Sequence, residues 1–593
     1  MSAATESRGG RSFAADPIVE APAELPPAWV AQLVSCVVDE NVGLPDTALL
    51  TYRDPNHELL TATGITIGTP LKISVVTVTG QARERLFTGE VTAVELDTDT
   101  TGSFTVIRAY SKAHRLQRGR KVVAYRNMTT ADIVRKVAAG AGLACGKIEA
   151  APVTHQQLSQ PNVSDWEFLQ YLAGESGAHV RVDEKGLLQF VKPTPAASAP
   201  APSTPATRSP LVLEYGRNLL ALRAVLTGAD GAGNVEVRGW NVTTKTPLVA
   251  TRPAVRSTTV TPGLNPSVAS AFGASAKVTV TDTPYRSQAE TTAVAGSVAA
   301  SVSAGFGEIE AVAEGNPKLR AGKPVALGNV GPAFSGRYTA TAAHHVLEPQ
   351  GGYRTTIVVS SSPDRSLTGL ATGGNAPARG SRMPGLAIGV VTDIREAGGG
   401  QRGWVKLKFP WLDATYVTDW VRTVQWGGQG GGGVFSPEVN DEVLVGFEQG
   451  LLDSPYVLGG LYNGVDKPSP HDVPLVDKTS GKVQRRSLVS RSGHRLELLD
   501  TPRGTSGVRL ASGNKRLEVK LDERRNRLEL TVFGPGGRRA LSSVTLTPKG
   551  ITLDAGTGTL DLNGRTVNIN GKTGVTVDGG LLATIKARMI RLN

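Results

Sequence analysis

The sequence predicts a mainly β protein with a small α+β insertion. Its 593 residues include 69 glycines but only 5% aromatic residues, a composition that favours many short strands joined by tight turns. Apolar and polar residues alternate over much of the chain, as in residues 71–75 (LKISV), which is the pattern of strands with one buried face. Because one core rarely supports so long a chain, we expect several domains.

Changes in composition mark the domain boundaries. Three segments are rich in Pro, Ala, Gly or Ser and cannot build a core, so they are expected to be a tail and two linkers. In chain order we expect a disordered tail (1–28), a hub-like β-barrel (29–125), a helical α+β insertion (126–192) and a Pro/Ala linker (193–210). A second β-barrel (211–365), a Gly/Ser linker (366–384), an OB-type barrel (385–465) and a neck with a C-terminal spike (466–593) follow.

Helix signals concentrate in the insertion. Thr129 or Thr130 can cap a helix whose apolar residues recur at helical spacing. Ser164 and Glu167 have the spacing of a capping box, in which each side chain accepts a hydrogen bond from the other residue's amide. Gly177 suits the exit of the helix that follows.

The block at 385–465 predicts a small closed barrel. Val405, Leu407 and Phe409 alternate with lysines, so they share one strand face. Short strands joined by Gly-rich turns within about eighty residues are typical of an OB-type barrel.

The last fifty residues contain apolar pairs separated by one polar residue. The pairs recur with Gly or Asn between them, and one such ribbon can neither bury its apolar face nor cover its edges. Three copies around a common axis can do both, which gives a β-prism; a single-chain β-solenoid is the alternative. The predicted trimer core is Val544, Leu546, Ile551, Leu553, Leu560, Leu562, Val567, Ile569, Val575 and Val577.

Composition also excludes several classes of site. Cys36 and Cys145 are the only cysteines, which excludes a disulfide framework and a cysteine-based zinc site. The net charge of +12 comes from scattered residues, and the densest cluster, 524–527, fits a solvated strand face, so no nucleic-acid partner is expected. Without an apolar leader or an eighteen-residue apolar run, the protein is expected to be made as a soluble cytosolic species.

No catalytic or cofactor site is predicted. Asp441 belongs to the same acidic stretch as Glu442 and Glu448, which would lie about 20 Å apart along a strand, whereas a glycosidase pair needs about 5 to 9.5 Å. His344 and His345 would point to opposite faces of a strand, which is poor for chelation. His494 stands alone in a turn, and we expect no enzyme activity, metal or cofactor.

The order of five motifs resembles the VgrG and phage-baseplate spike family. The motifs are KLKFPW, WVR, DEVLVGFEQG, YVLGGLYN and SRSGHRL, between residues 406 and 496. The resemblance extends over about 30–593 and implies phage hub-like β-barrels, an OB-fold barrel and a trimeric needle. Residues 86–92 and 115–120 look like those of extracellular phage-tail-like systems, so we expect that subclass.

The resemblance also implies the function and the partners. We expect a homotrimeric structural spike that joins the inner tube to the puncturing tip, contacts baseplate proteins and possible effector cargo, and meets the target membrane only transiently. It would assemble in the bacterial cytoplasm and act outside the cell or in the target envelope. A PAAR-type tip protein would dock on Met589, Ile590, Leu592 and Asn593. The alternative is a single-chain β-helix enzyme that degrades polysaccharide or peptidoglycan, which calls for an acidic cleft and a longer solenoid.

Overall fold

A computed structural model of the chain divides into two units, residues 1–461 and residues 462–593. Within the described ranges, no helix combines the length and the apolar character that crossing a membrane requires. The structure describes residues 16–76, 82–229, 231–254, 256–264, 272, 276–349, 351–361, 382–383, 385–396, 401–502 and 504–591.

The first block is a set of antiparallel strands. Its elements are β1 (Ile18–Glu20), α1 (Pro27–Val30), β2 (Leu33–Asn41), β3 (Leu44–Arg53), α2 (Leu59–Thr63), β4 (Pro70–Val76), β5 (Arg83–Asp99) and β6 (Gly102–Tyr110). The boundary of the predicted tail is corrected here, because β1 pairs with β4. Val19 and Leu25 are buried in the same core as β2 to β6, so apolar side chains hold this part of the predicted tail in place.

The predicted helical insertion follows a 3-10 helix at Lys112–Gln117. Its elements are β7 (Lys121–Thr129), α3 (Thr130–Gly140), β8 (Cys145–Ile148), β9 (Thr154–Val163), α4 (Asp165–Ser176), β10 (His179–Val182) and β11 (Leu188–Val191). The capping box is confirmed: Ser164 Oγ accepts from the Glu167 amide at 3.2 Å, and the Glu167 carboxylate accepts from the Ser164 amide at 2.8 Å. Thr129 caps α3 by accepting from the Asp132 amide.

The Pro/Ala tract at 193–210 differs from the extended linker that its composition predicts. A 3-10 turn forms at Ala196–Ser198, and Ala196 is fully buried. The Ala196 amide donates to the Thr258 carbonyl at 2.8 Å, and the Thr339 hydroxyl donates to the Thr194 carbonyl at 2.6 Å. Small side chains let the tract lie close against the neighbouring sheet, and its carbonyls accept hydrogen bonds there.

The third block contains strands, as predicted, and one long helix that was not predicted. Its elements are β12 (Val212–Glu214), β13 (Leu219–Leu226), β14 (Asn234–Asn241), β15 (Thr246–Pro253), β16 (Val260–Pro262), β17 (Lys277–Tyr285), α5 (Gln288–Ala304), β18 (Gly307–Glu314), β19 (Pro324–Gly328), β20 (Gly336–Thr339), β21 (Ala342–Glu348) and β22 (Gly352–Val359). The helix α5 starts at a second capping box, formed by Ser287 and Glu290.

The first and third blocks, predicted as hub β-barrels 1 and 2, contribute strands to one shared sheet. Ten strands pair in the order β1-β4-β5-β6-β3-β2-β21-β22-β18-β13. The join is the antiparallel pair of β2 with β21, in which Val38 lies opposite His345. Smaller sheets, β12-β19-β20-β16 and β15-β14-β17, complete the third block.

Helices α4 and α5 pack against each other beside a cavity of about 100 Å³. The Ser297 hydroxyl of α5 donates to the Gly174 carbonyl of α4 at 2.5 Å. Next to this contact, the Tyr285 hydroxyl donates to the Glu175 carboxyl at 3.2 Å. The insertion and the third block are therefore joined by polar contacts as well as by packing.

The predicted barrel after residue 385 is a five-stranded sheet in the order β24-β23-β26-β27-β25. Its strands are β23 (Leu386–Asp393), β24 (Lys406–Lys408), β25 (Arg422–Thr423), β26 (Glu442–Phe447) and β27 (Pro455–Gly460). Val405, Leu407 and Phe409 are buried together in its core, so their shared inward face is confirmed. Of the predicted linker at 366–384, the structure describes only residues 382–383.

The second unit begins with an irregular segment, residues 462–484, and continues as one antiparallel meander. The seven strands of this C-terminal sheet pair consecutively. They are β28 (Arg485–Val489), β29 (Arg495–Asp500), β30 (Ser506–Ala511), β31 (Leu517–Asp522), β32 (Arg527–Phe533), β33 (Ala540–Thr547) and β34 (Gly550–Asp554).

Candidate functional site: the uncovered face of the C-terminal sheet

The register of the C-terminal sheet sorts its side chains onto two chemically different faces. Residues that lie opposite each other in neighbouring strands point to the same side of a sheet. One face, called the apolar face below, is made mostly of aliphatic residues. They are Leu488, Leu496, Leu498, Val508, Leu510, Leu517, Val519, Leu521, Leu528, Leu530, Val532, Val544, Leu546, Ile551 and Leu553.

The apolar face has no covering layer within its own unit. Leu498 is 48% exposed, Leu530 44% and Ile551 71%. Among the described residues of this unit, Leu499 on the other face is the one aliphatic side chain that is buried. Contiguous apolar surface of this kind marks a site of association.

The opposite face is charged, and most of its buried charges are paired, although the Nε atoms of Arg485 and Arg527 have no hydrogen-bond partner. Glu497 is fully buried, and its carboxylate lies 2.9 Å from His471 Nε2 and 3.3 Å from Arg495 Nη1. Arg509 forms a further ion pair with Glu518, at 2.8 Å from Nε to Oε2. His471 belongs to the irregular segment 462–484, which therefore covers part of the charged face. Buried charges need such partners. The charged face therefore has packing and ion pairs within its own unit, whereas the apolar face has no covering layer there.

The predicted trimer core falls on this face only in part. Val544, Leu546, Ile551 and Leu553 lie in β33 and β34. The remaining predicted core residues are in no strand and are each more than half exposed. They are Leu560, Leu562, Val567, Ile569, Val575 and Val577.

The predicted tip-docking residues lie at the end of the same run. Met589 and Ile590 are at least half exposed. Leu592 and Asn593 lie outside the described residues. Every residue from 556 to 591 is exposed in the single chain, so this segment has no covering layer of its own.

Most of the apolar face was missed when only the sequence was considered. The predicted core began at Val544, but the face begins at Leu488, six strands from the end of the sheet. The signal was present in residues 517–522 (LEVKLD) and 527–533 (RLELTVF), where leucine and valine alternate with charged residues. Read together, these strands predict one aliphatic face.

The residues considered for chemistry have structural partners. Glu448 accepts a hydrogen bond from the Tyr456 hydroxyl at 2.7 Å. His344 pairs with Asp39 on the exposed side of β21, whereas His345 is fully buried beside Tyr353 and Thr355. Within the described ranges, no three His, Cys, Asp or Glu side chains are grouped so that they could hold a metal ion.

Comparison with protein-family models matches two segments of the chain to described families. Residues 387–462 match the type VI secretion system/phage-baseplate injector OB domain. Residues 68–348 match the Alg8 N-terminal domain. The first match covers the five-stranded barrel and supports its assignment as an OB fold.

Two curated relatives are type VI secretion spike proteins of Pseudomonas aeruginosa. VgrG1c is 28% identical over 149 residues, which are 24% of this chain and 20% of the relative. VgrG5 is 40% identical over 79 residues, 12% of this chain and 10% of the relative. The aligned parts thus span a fifth or less of the length of these relatives.

Among solved structures, one that aligns with this chain comes from a Francisella PdpA–VgrG complex. It has a TM-score of 0.49 and 10% sequence identity, and it covers 88% of this chain and 76% of the other.

Proposed function

We propose, from the premise that this chain is VgrG-like and carries a baseplate-injector OB domain, that it is the structural spike of a contractile injection machine. Three copies would associate through the apolar face of the C-terminal sheet and continue as a needle. The observation that carries the proposal is the continuous aliphatic face from Leu488 to Leu553, which no described residue of its own unit covers. Burying a leucine side chain contributes about 1.5–3 kcal/mol, so covering this face strongly favours association.

The segment after Asp554 supports an assembly in which strands pair between chains. Its apolar pairs at 560–577 keep the alternation of strands but have no ladder partner among the residues that the structure describes. Backbone groups that lack a partner in one chain can pair with a second and a third copy around an axis. Three is the number that the family resemblance implies.

The proposed role is mechanical and not enzymatic. The ten-stranded sheet region would seat on the inner tube and contact baseplate proteins, and the OB barrel would form a collar below it. When the sheath contracts, the needle would pierce the target envelope. A PAAR-type protein would cap the needle at residues 589–593, and any toxic activity would belong to a cargo.

The same proposal includes where the protein is assembled and where it acts. The protein would be assembled into the particle in the bacterial cytoplasm and would meet the target envelope only when the particle fires. Assignment to the extracellular subclass stays a prediction, which residues 86–92 and 115–120 support.

A single-chain β-helix enzyme is the competing function. Such a fold winds parallel coils one above the other, whereas the seven strands of the C-terminal sheet run antiparallel and pair in sequence order. The ion pairs of Glu497 and Glu518 also hold the carboxylates of the charged face in structural roles. These features favour the spike.

Labelling of assembled particles tests the proposal. A short affinity tag after the last residue, detected with gold particles in electron micrographs, should mark one end of each sheathed particle. A matched tag in the exposed turn at 523–526 should mark the same end. Labelling along the sheath, or particles that contain none of this protein, would contradict the proposal.

A further inference from the structure

The outer surface of the OB barrel carries an ordered array of cationic and aromatic side chains. Val405 pairs with Val421 in an antiparallel bridge, and both valines are buried. Their neighbours therefore point outward, so Trp404 lies beside Arg422 and Lys406 lies beside Trp420. In the adjacent strand, Tyr456 is the register partner of Arg422.

Each cation of the array lies over an aromatic ring. The Arg402 guanidinium carbon is 3.8 Å from the centre of the Trp404 ring. The Lys406 Nζ atom is 4.9 Å from the Trp420 ring, and the Arg422 guanidinium carbon is 5.1 Å from the Tyr456 ring. Such pairs occur in proteins about once per 70–80 residues, yet three lie here on one surface. The described residues hold one other, Lys136 over Tyr125 in the insertion.

The array has an excess of positive charge, although Glu448 borders it by accepting a hydrogen bond from the Tyr456 hydroxyl at 2.7 Å. Arg402 is paired with Glu396, at 2.8 Å between Nε and Oε2. In the parts of the chain that the structure describes, no carboxylate lies within ion-pair distance of Lys406 or Arg422. These two cations hold their aromatic partners in place and remain available to an anion.

A pinched glycine loop adds two exposed aromatic rings beside the array. A Cβ atom at Gly432 would lie 2.5 Å from the Gly427 Cα atom, so the loop closes only because both positions are glycine. The closure projects Trp426, which is 69% exposed, with its ring centre 4.7 Å from that of Phe435. Gln425 fixes the loop base, because its side chain accepts from the Phe435 amide and donates to Thr423.

We propose that the cation–aromatic array, formed by the three cations and their ring partners, binds an acidic polysaccharide together with Trp426. OB folds bind oligosaccharides and oligonucleotides on this type of barrel surface. The free face of Trp426 can stack on the apolar face of a sugar ring, while Arg422 and Lys406 pair with its carboxylates. Stacked nucleobases would need several free rings, but those of Trp404, Trp420 and Tyr456 are already partnered by cations.

The proposal does not depend on the spike function. It gives the barrel a direct contact with anionic envelope or capsule polysaccharide, whichever particle carries the protein. The binding free energy would come from charge pairing at the array and from ring stacking at the loop, so both parts are expected to matter.

The test is a titration of the full-length protein with a galacturonic acid hexamer, followed by tryptophan fluorescence and calorimetry. We expect saturable binding that weakens with salt, and no binding of a neutral maltose-type hexamer. Arg422→Gln and Trp426→Ala should each weaken binding by at least about tenfold. Lys136→Gln, which removes the cation–aromatic pair of the insertion, should leave the affinity unchanged.

Several results would overturn the proposal. Affinities of Arg422→Gln and Trp426→Ala equal to that of the unmodified protein would show that the surface is not the site. Tighter binding of a thymidine oligonucleotide would assign the array to single-stranded nucleic acid, and equal binding of a glutamate hexamer would reduce it to general charge attraction. Loss of the native association state in both variants would assign the surface to contacts between copies.

Discussion

Leu530 and Val544 are register partners in adjacent strands of the C-terminal sheet, and both point to its apolar face. Val544 belongs to the needle core that the sequence predicts, whereas Leu530 lies outside the predicted core, in β32. The pair joins the two regions into one surface. Association of the spike is therefore expected to begin about sixty residues before the needle proper.

Leu530→Asp should prevent association of the chains. The change places a carboxylate in each copy at the centre of the apolar face, where burial of an unpaired charge is strongly unfavourable. Thr531→Asp is the matched control, because Thr531 points to the charged face. Analytical ultracentrifugation should find Leu530→Asp as single chains and Thr531→Asp as the native assembly. Equal behaviour of the two variants would contradict the assignment of the faces.

Val567→Asp tests whether the apolar alternation continues inward beyond the last strand of the single chain. Three carboxylates around one axis would repel each other in an apolar setting, so the needle should open and the assembly should weaken. Asn568→Asp adds the same charge one residue later, on the opposite side, and should be tolerated. Limited proteolysis of the C-terminal segment should separate the two variants. An intact, protected needle in Val567→Asp would refute the inward orientation.

Glu175 should make the packing of α4 and α5 sensitive to pH. The pKa of its carboxyl is raised to about 8, mainly by burial; the hydrogen bond from Tyr285 lowers it, and the nearby Glu290 and Asp282 raise it. Between the ordinary value of 4.5 and about 8, the folded protein holds a proton that the unfolded chain has released. Stability should therefore fall as pH rises through this window, by up to about 1.4 kcal/mol per pH unit.

Glu175→Gln removes this titration and keeps the side-chain shape. The melting temperatures of the two proteins should be similar below pH 4.5, where the carboxyl is protonated in both the folded and the unfolded chain. As the pH rises to 8, the melting temperature of the unmodified protein should fall progressively below that of the variant. Above pH 8 the difference between the two melting temperatures should be constant. Parallel melting profiles over the whole range would contradict the account of this carboxyl.

Ser287 should stabilise the first turn of α5. Its hydroxyl accepts from the Glu290 amide at 3.2 Å, and replacing such a cap with alanine costs about 0.5–2 kcal/mol. In Ser287→Ala, amide hydrogen exchange at Glu290 should be several-fold faster. Ser301→Ala, inside the same helix, should leave exchange unchanged or slower, because alanine favours helix interiors. Faster exchange in Ser301→Ala alone would contradict the capping role.

Local sequence patterns predicted much of the fold correctly. The Ser164–Glu167 capping box and the alternation of Val405, Leu407 and Phe409 were readable because each depends on residues close in sequence. The helix α5 was missed because its small and β-branched residues, QAETTAVAGSVAASVSA, give no clear apolar stripe. Packing against α4 and the Ser287 cap stabilise the helix although it has no such stripe.

Long-range pairing could not be read from the sequence. The contact of β2 with β21 joins Val38 to His345 across about three hundred residues, and nothing local specifies that register. The same holds for the cation–aromatic array, because Arg422 meets Tyr456 only when the barrel closes. The apolar face was different: its alternation was visible, but only the pairing of the strands unites it into one surface.

The most direct test of the central claim is the solution mass of the full-length protein, by light scattering on a size-exclusion column. Three chains of 62.0 kDa would give about 186 kDa, and the account predicts a single species of that mass. A folded, monodisperse protein at 62.0 kDa would leave the aliphatic face from Leu488 to Leu553 exposed to water, and would contradict the trimeric spike.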